Sequence, residues 1–456
     1  MSWITTHLEI VIIVVLTLLA AIVILQQRRT PQSTAAWLLF IIALPWVAVP
    51  LFLGLGFRKQ SSRYSPVHFL KGDTGGPPPR PVHTLDATMQ YFGLPAAAHG
   101  QDLRLLGDPT AAHEAVIALI QGAEERLDVL FYIVANDETG RIFVDALTER
   151  AKAGVKVRLL MDRLGTLRGP ASALRRLRNA GGDVRFYSPL LQVPGSGHLN
   201  LRNHRKMIIA DDARVFSGGM NIGAHYLGPV AREDGWADLA YLLEGRAVQS
   251  FGDVFRSDWE VASGETLEPA PSVAAGTGGT ATVQLVPSGP DIAEDPLHDG
   301  LIRALHLAEA RIWLVTPYFV PTEALGAALT TAARRGVDVR VLVPERSNQR
   351  LADFARGAYL RDLHEAGGQV LYYQPGMIHA KAGVIDDMGL VGSANFDVRS
   401  MLLNFEVTLF VYDAGSVAKL HDWFEHLSEH CAMEKPPTGM VRKVAEGLFR
   451  LGAPVL

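Results

Sequence analysis

One stretch of this chain is written twice. The first copy reads AVIALIQGAEERLDVLFYIV, then ALTERAKAGVKVRLLMD, then LRRLRNAGGDVRFYSP. The second reads LIRALHLAEARIWLVTPYFV, then ALTTAARRGVDVRVLVP, then YLRDLHEAGGQVLYYQP. Self-similarity of this kind constrains the fold strongly, because each copy must bury equivalent faces. Apolar spacing over residues 111–123 is helical, while Val155, Val157 and Leu159 alternate as Val337, Val339 and Val341 do. Gly154 and Gly336 stand where a helix must give way to a strand, and Gly181–Gly182 and Gly367–Gly368 repeat this one unit later. The pattern predicts helix, strand, helix, strand, helix, strand in each copy. That is an α/β fold: two similar domains, each a mixed, largely parallel sheet flanked by helices, related by a pseudo-twofold axis.

Each copy ends in the same motif, H-x-K-x-x-x-x-D. His204, Lys206 and Asp211 form the first, and His379, Lys381 and Asp386 the second. A glycine turn and an asparagine follow: Gly218-Gly219-Met220-Asn221 and Gly392-Ser393-Ala394-Asn395. Histidine and lysine two apart on a strand point to the same face. An imidazole beside an ammonium suits a phosphodiester: one attacks phosphorus or protonates the leaving oxygen, and the other neutralises the anion. Asn221, Asn395 and Ser393 add neutral donors. Two copies around one phosphate need no metal, and no cofactor or metal-ligand cluster is read from the chain. Six residues separate Asp211 from Gly218 but five separate Asp386 from Gly392, which predicts a hairpin turn one residue shorter in the second copy.

Apolar residues are concentrated at the N-terminus. Residues 8–25 are uncharged apart from Glu9, and residues 37–57 carry no charge. Both runs approach the length that crosses a hydrocarbon core of roughly 30 Å, so two N-terminal transmembrane helices are expected, the second bent by Pro45 and Pro50. Basic residues follow each run, and their balance leans to a cytoplasmic catalytic domain on a multi-pass membrane protein. A basic n-region and a small-residue cleavage pattern are both missing, so the first run reads as an anchor and not a signal peptide. The formal charge of −4 gives no global basic excess for a nucleic acid. Single Cys431 excludes an internal disulfide. The expected organisation is an anchor over 1–60, a Gly- and Pro-rich linker and entry over 61–100, a first catalytic half over 101–263, a linker over 264–282, a second half over 283–432, and a tail over 433–456. The tail segment MVRKVAEGLFRL suits either an anionic membrane surface or a solvated terminal helix.

The duplicated motif resembles that of the phospholipase D superfamily. Within it, LRNHRKMIIADD with FSGGMNIG, MIHAKAGVIDD with LVGSANFDVRSMLLNFEV, TPYFVP and RRGVDVRVLVP are similar to bacterial cardiolipin synthases. The resemblance implies two phospholipase D-like domains, a bacterial inner-membrane location, and transfer of a phosphatidyl group between two phosphatidylglycerol molecules through a phosphatidyl-histidine. Phosphatidylglycerol, other phospholipids and the bilayer are the implied partners, and nucleic acid is not. By that resemblance His204 is the nucleophile and His379 the general acid and base, with the reverse assignment open. Lys206, Lys381, Asn221, Ser393 and Asn395 bind phosphate oxygens. Asp238 and Glu406 orient the histidines, while Asp211 and Asp386, although motif residues, read as structural. Tyr132 and Tyr318, at matched positions, read equally as pocket or core residues, and Trp236 and Trp313 as packing. Water or another alcohol resolving the same intermediate would make a phospholipase D hydrolase or a different phosphatidyltransferase, and a nuclease is the remaining class.

Overall fold

The computed structural model describes residues 2–26, 31–55, 64, 66–70, 81–187, 201–268 and 278–451. Two compact units emerge. Residues 1–63 with 188–201 form one, and residues 64–187 with 202–456 form the other.

In the N-terminal unit, α1 (Ser2–Gln26) precedes α2 (Pro31–Ala43) and α3 (Pro45–Leu55). Ile24, Ile41, Ala48 and Phe52 make a small core, with Trp37 edge-on to Phe52 at 5.2 Å. The second apolar run is two helices, not one. Pro45 lacks an N–H and disfavours helical geometry at the residue before it, so the helix stops at Ala43 and restarts at Pro45. Among the described residues no helix is long and apolar enough to cross a membrane. The expected pair of spanning helices is not shown, and the described residues of this unit form three helical pieces.

The larger unit is built on one sheet. Its first half supplies β1 (Ala98–Leu106), β2 (Arg126–Phe131), β3 (Lys156–Asp162), β4 (Asp183–Tyr187), β5 (Met207–Ala210), β6 (Arg214–Gly218) and β7 (Ala240–Glu244). The second half supplies β8 (Ala281–Ser288), β9 (Arg311–Val315), β10 (Asp338–Pro344), β11 (Gln369–Tyr373), β12 (Ala382–Ile385), β13 (Met388–Gly392), β14 (Glu406–Val411) and β15 (Cys431–Met433). Strand order is β15-β11-β10-β9-β12-β13-β14-β8-β1-β7-β6-β5-β2-β3-β4. Read outward from the β8–β1 junction the two halves are the same, apart from the extra edge strand β15. This is the duplication seen in the sequence, joined into one sheet and not two.

Parallel pairing is confined to β2-β3-β4 and β9-β10-β11. The strands that carry the motifs return antiparallel: β5 lies against β2, and β12 against β9. The sheet is mixed, as expected, but its centre is antiparallel where a largely parallel one was expected. Sequence alternation cannot distinguish these, since both pairings bury the same faces. Two apolar cores cover the halves separately, one around Leu119, Phe143 and Leu159, the other around Leu301, Leu329 and Val341. Three residues (211–213) turn β5 into β6 and two (386–387) turn β12 into β13, the one-residue difference expected. The tail contains a helix, Met440–Leu451, tied to helix Arg350–Glu365 by an ion pair between Arg361 and buried Glu446.

Candidate active site

Both motifs reach the middle of the sheet from the same edge. Met207, directly after Lys206, pairs with Leu130 at the end of β2, and Ala382, directly after Lys381, pairs with Val315 at the end of β9. The loop holding His204 crosses to the second half, where the His204 N–H donates to the Phe405 carbonyl (2.9 Å). The loop holding His379 crosses the other way, and its N–H donates to the Ala237 carbonyl (2.7 Å). Each crossing is a parallel bridge, Asn203 with Phe405 and Ala237 with Ile378.

These crossings exchange the carboxylates. His204 Nδ1 lies 3.3 Å from Glu406 Oε1, and His379 Nδ1 lies 2.7 Å from Asp238 Oδ2. Each half therefore orients the histidine of the other. Asp238 and Glu406 occupy equivalent places, two residues before Ala240 and Thr408, which pair with Gly218 and Gly392. Both carboxyls are fully buried. Burial alone would raise their pKa values. Against it, His379 and Lys381 hold Asp238 below the usual range, and His204, Lys206 and Ser393 do the same for Glu406. Ionised carboxylates at these places fix the Nδ1–H tautomer and leave Nε2 for chemistry.

The supports differ between halves. Ser393 Oγ donates to Glu406 Oε2 at 2.5 Å. Gly219 stands at the equivalent place, where a Cβ would come within 2.2 Å of Asp238 Oδ1. Ser393 was expected to bind phosphate; its hydroxyl instead holds the orienting Glu406.

Lys206 and Lys381 are buried, and each ammonium donates to the carbonyl of its own motif histidine. Burial lowers both pKa values, Lys381 to about 7. His379 is lowered to about 4, first by burial and then by Lys381, against the pull of Asp238. The free site thus holds His379 neutral. An anionic phosphodiester supplies the negative charge that would raise both groups.

Asn221 Oδ1 accepts from the Ile133 N–H (3.2 Å). Asn395 Oδ1 is buried with no hydrogen-bond partner among the described residues. A buried polar atom in that condition is costly unless something completes it, and the same side chain hydrogen-bonds Asp397.

Asp211 and Asp386 do not face the histidines. They stand at the far ends of β5 and β12, four strand residues from the lysines at about 3.3 Å each. Asp211 accepts from the N–H groups of Glu124, Glu125 and Arg126, and Asp386 from those of Glu309, Ala310 and Arg311, at 2.7–2.9 Å. Both adopt positive φ, 52° and 49°, which favours Asp, Asn or Gly over most residues. Asp386→Ala is expected to cost about 2 kcal/mol of stability through three orphaned donors. Turnover per folded molecule should change less than about twofold if no catalytic contact is lost. Thermal unfolding and an active-site titration check both.

A family model described as "Cardiolipin synthase, PLD-like domain" matches residues 116–259 and 301–428. The chain belongs to the cardiolipin synthase family. A second model, "Phospholipase_D-nuclease N-terminal", matches residues 15–56. A cardiolipin synthase of Geobacillus kaustophilus is 32% identical over 453 residues, covering 93% of this chain and 89% of the relative. One from Alkalihalophilus pseudofirmus is 31% identical over 429 residues, covering 88% and 83%. The crystal structure of phosphatidylserine synthase from Haemophilus influenzae shares the fold at 17% identity, with a TM-score of 0.61 over 82% of this chain and 98% of that one.

Members of the cardiolipin synthase family are phosphatidyltransferases of the phospholipase D superfamily, and this chain is one. Its site also uses residues that motif reading undervalued. Tyr132 packs on the His204 ring at 4.0 Å between centroids, whereas Tyr318 donates to Asn348 (2.5 Å). Trp236 and Tyr226 flank the His379 ring at 5.5 and 5.1 Å, so Trp236 packs against the core as expected and also borders the His379 ring. Trp313 does pack, between Arg340 and Phe424. Arg205, between His204 and Lys206, is fully buried against Asp258 and Asp291 and also donates to the Glu406 carbonyl (3.3 Å). Its place inside the motif was the only sequence signal for it. His298 bonds Asp299 and Thr322, and His198 lies outside the described residues.

Proposed function

We propose that the chain transfers a phosphatidyl group from one phosphatidylglycerol to another, giving cardiolipin and glycerol. The observation that carries this reading is the exchange of carboxylates: two histidine–lysine pairs, each completed by the other half, converge on one buried site in a chain of this family. His204, the more exposed histidine (22% against 11%), attacks phosphorus through Nε2. The bond from phosphorus to the glycerol oxygen breaks, and His379, which takes up a proton as the anion binds, gives it to that oxygen. A primary hydroxyl of the second phosphatidylglycerol then attacks phosphorus, His379 removes its proton, and His204 leaves. Lys206, Lys381, Asn221 and Asn395 hold the non-bridging oxygens. Asp238, Glu406 and, through Glu406, Ser393 orient the imidazoles.

The N-terminal unit is read as the anchor to the bacterial inner membrane, with the catalytic unit on the cytoplasmic side. Supporting this, α1 carries no charged residue from Ile10 to its end at Gln26. It exposes Val11, Val14, Leu18, Leu19, Ile22 and Leu25 to its surroundings, a surface that water does not favour.

Expression in a bacterial host lacking cardiolipin tests the reaction. Cardiolipin is expected to appear, with glycerol as the co-product. Phosphatidic acid in its place would make the chain a hydrolase, with water resolving the intermediate.

A further inference from the structure

Every loop that bears on the histidines leaves one edge of the sheet, the edge where β2, β3, β9 and β10 end. The loop after β3 reaches the first motif directly, with Asp162 Oδ2 accepting from the Asn203 N–H (3.1 Å). The loop after β10 reaches Tyr318 through Asn348. The β6–β7 loop brings Trp236 onto His379.

The segments that leave this edge expose large apolar side chains. Leu164 and Leu167 follow β3 and are 43% and 60% exposed. Leu351 and Phe354 stand at the start of the helix that follows β10, Arg350–Glu365, at 50% and 40%. Val230, on the β6–β7 loop, is 75% exposed. Each leucine cluster adjoins an exposed arginine, Arg168 in one half and Arg350 in the other. Neither makes an ion pair among the described residues. The opposite edge presents Glu124, Glu125, Glu309 and Asp387 to solvent.

Apolar residues scattered singly on a surface need no explanation, but a patch does. Here an exposed leucine beside an exposed arginine recurs after β3 and after β10, equivalent strands that end at the edge from which the histidine loops leave. Leucine gains by leaving water for the acyl boundary, and arginine gains from lipid phosphates. We propose that this edge docks on an anionic bilayer. Leu164 and Leu167 from one half, and Leu351 and Phe354 from the other, enter the headgroup region. Arg168 and Arg350 meet lipid phosphates. The histidines are then held facing the phosphodiester layer, and a lipid need not leave the membrane fully to react. The proposal rests on the lipid-substrate reading above.

The test uses the full chain carrying Cys431→Ser, with a single cysteine added as Leu167→Cys, Leu351→Cys or, at the opposite edge, Glu309→Cys. Each is labelled with a polarity-sensitive fluorophore and placed in vesicles of phosphatidylglycerol and phosphatidylcholine with brominated chains. Quenching of about twofold is expected at 167 and 351 and none at 309. No quenching at 167 and 351, or equal quenching at 309, overturns the proposal. The readout needs no turnover, so a chain that makes no cardiolipin can still dock, and the two failures are distinguishable. In the kinetic arm, Leu167→Gln with Leu351→Gln is expected to raise the vesicle lipid needed for half-maximal rate about tenfold. The rate on a soluble short-chain phosphatidylglycerol should stay unchanged, and an equal loss on both substrates would overturn the docking role.

Discussion

His204→Ala and His379→Ala are each expected to lower kcat for phosphatidyl transfer by about 10,000-fold or more, and the double variant little further, because residues acting as one unit do not add. Single-turnover conversion of labelled phosphatidylglycerol measures this. The two losses differ in kind. A phosphatidyl ester of p-nitrophenol has a leaving group that needs no proton. With that substrate His379→Ala is expected to keep a first burst of nitrophenol, since His204 still attacks. His204→Ala should show none. A burst in His204→Ala and none in His379→Ala would reverse the two roles. Binding should carry its own signature. His379 is neutral at neutral pH in the free enzyme, being held at about 4, so forming the complex with the anion takes up a proton. Raising the pH through about 7 also discharges Lys381 in the free site. Anion binding should therefore weaken as pH rises and tighten as it falls.

Glu406→Gln is expected to cost about 100- to 10,000-fold in kcat, comparable to losing the carboxylate of a catalytic triad. Its nitrophenol phenotype should follow His204, which it touches, and not His379, with which it shares a half of the chain. Asp238→Asn should likewise follow His379 and keep the burst. The expectation comes from the 3.3 Å and 2.7 Å contacts across the halves. If Glu406→Gln kept the burst and Asp238→Asn lost it, the carboxylates would serve their own halves and the crossing would have no catalytic meaning.

Much of this was legible in the sequence. The repeat announced two equivalent α/β halves, and H-x-K twice announced the histidines and lysines, since same-face spacing on a strand is a local property. The turn difference between Asp211 and Asp386 was legible for the same reason. Asp238 and Glu406 were visible as acids at similar distances after each motif, but their exchange between halves was not. Which residue meets which across a sheet depends on strand order, and alternation is silent about partners. The antiparallel return of β5 and β12 was missed on the same ground. Ser393 resembled a phosphate donor because a hydroxyl beside the motif says nothing of the carboxylate it will meet. The break at Pro45 was signalled by the proline, whose kink was expected, but a stop between two separate helices was not.

The continuous sheet has a further consequence for how lipids come and go. Strands β1 and β8 pair across the junction, and the two bridges at Asn203 and Ala237 tie the halves again beside the histidines. A hinge between the halves would tear the very links that set each imbidazole's carboxylate. The two halves are therefore coupled at the site itself, and a change that shifts one half moves the carboxylate held against the other half's histidine. On the proposed reaction both lipids meet the same pair of histidines, the first leaving its glycerol before the second presents its hydroxyl. Ping-pong order follows from the proposed phosphatidyl-histidine.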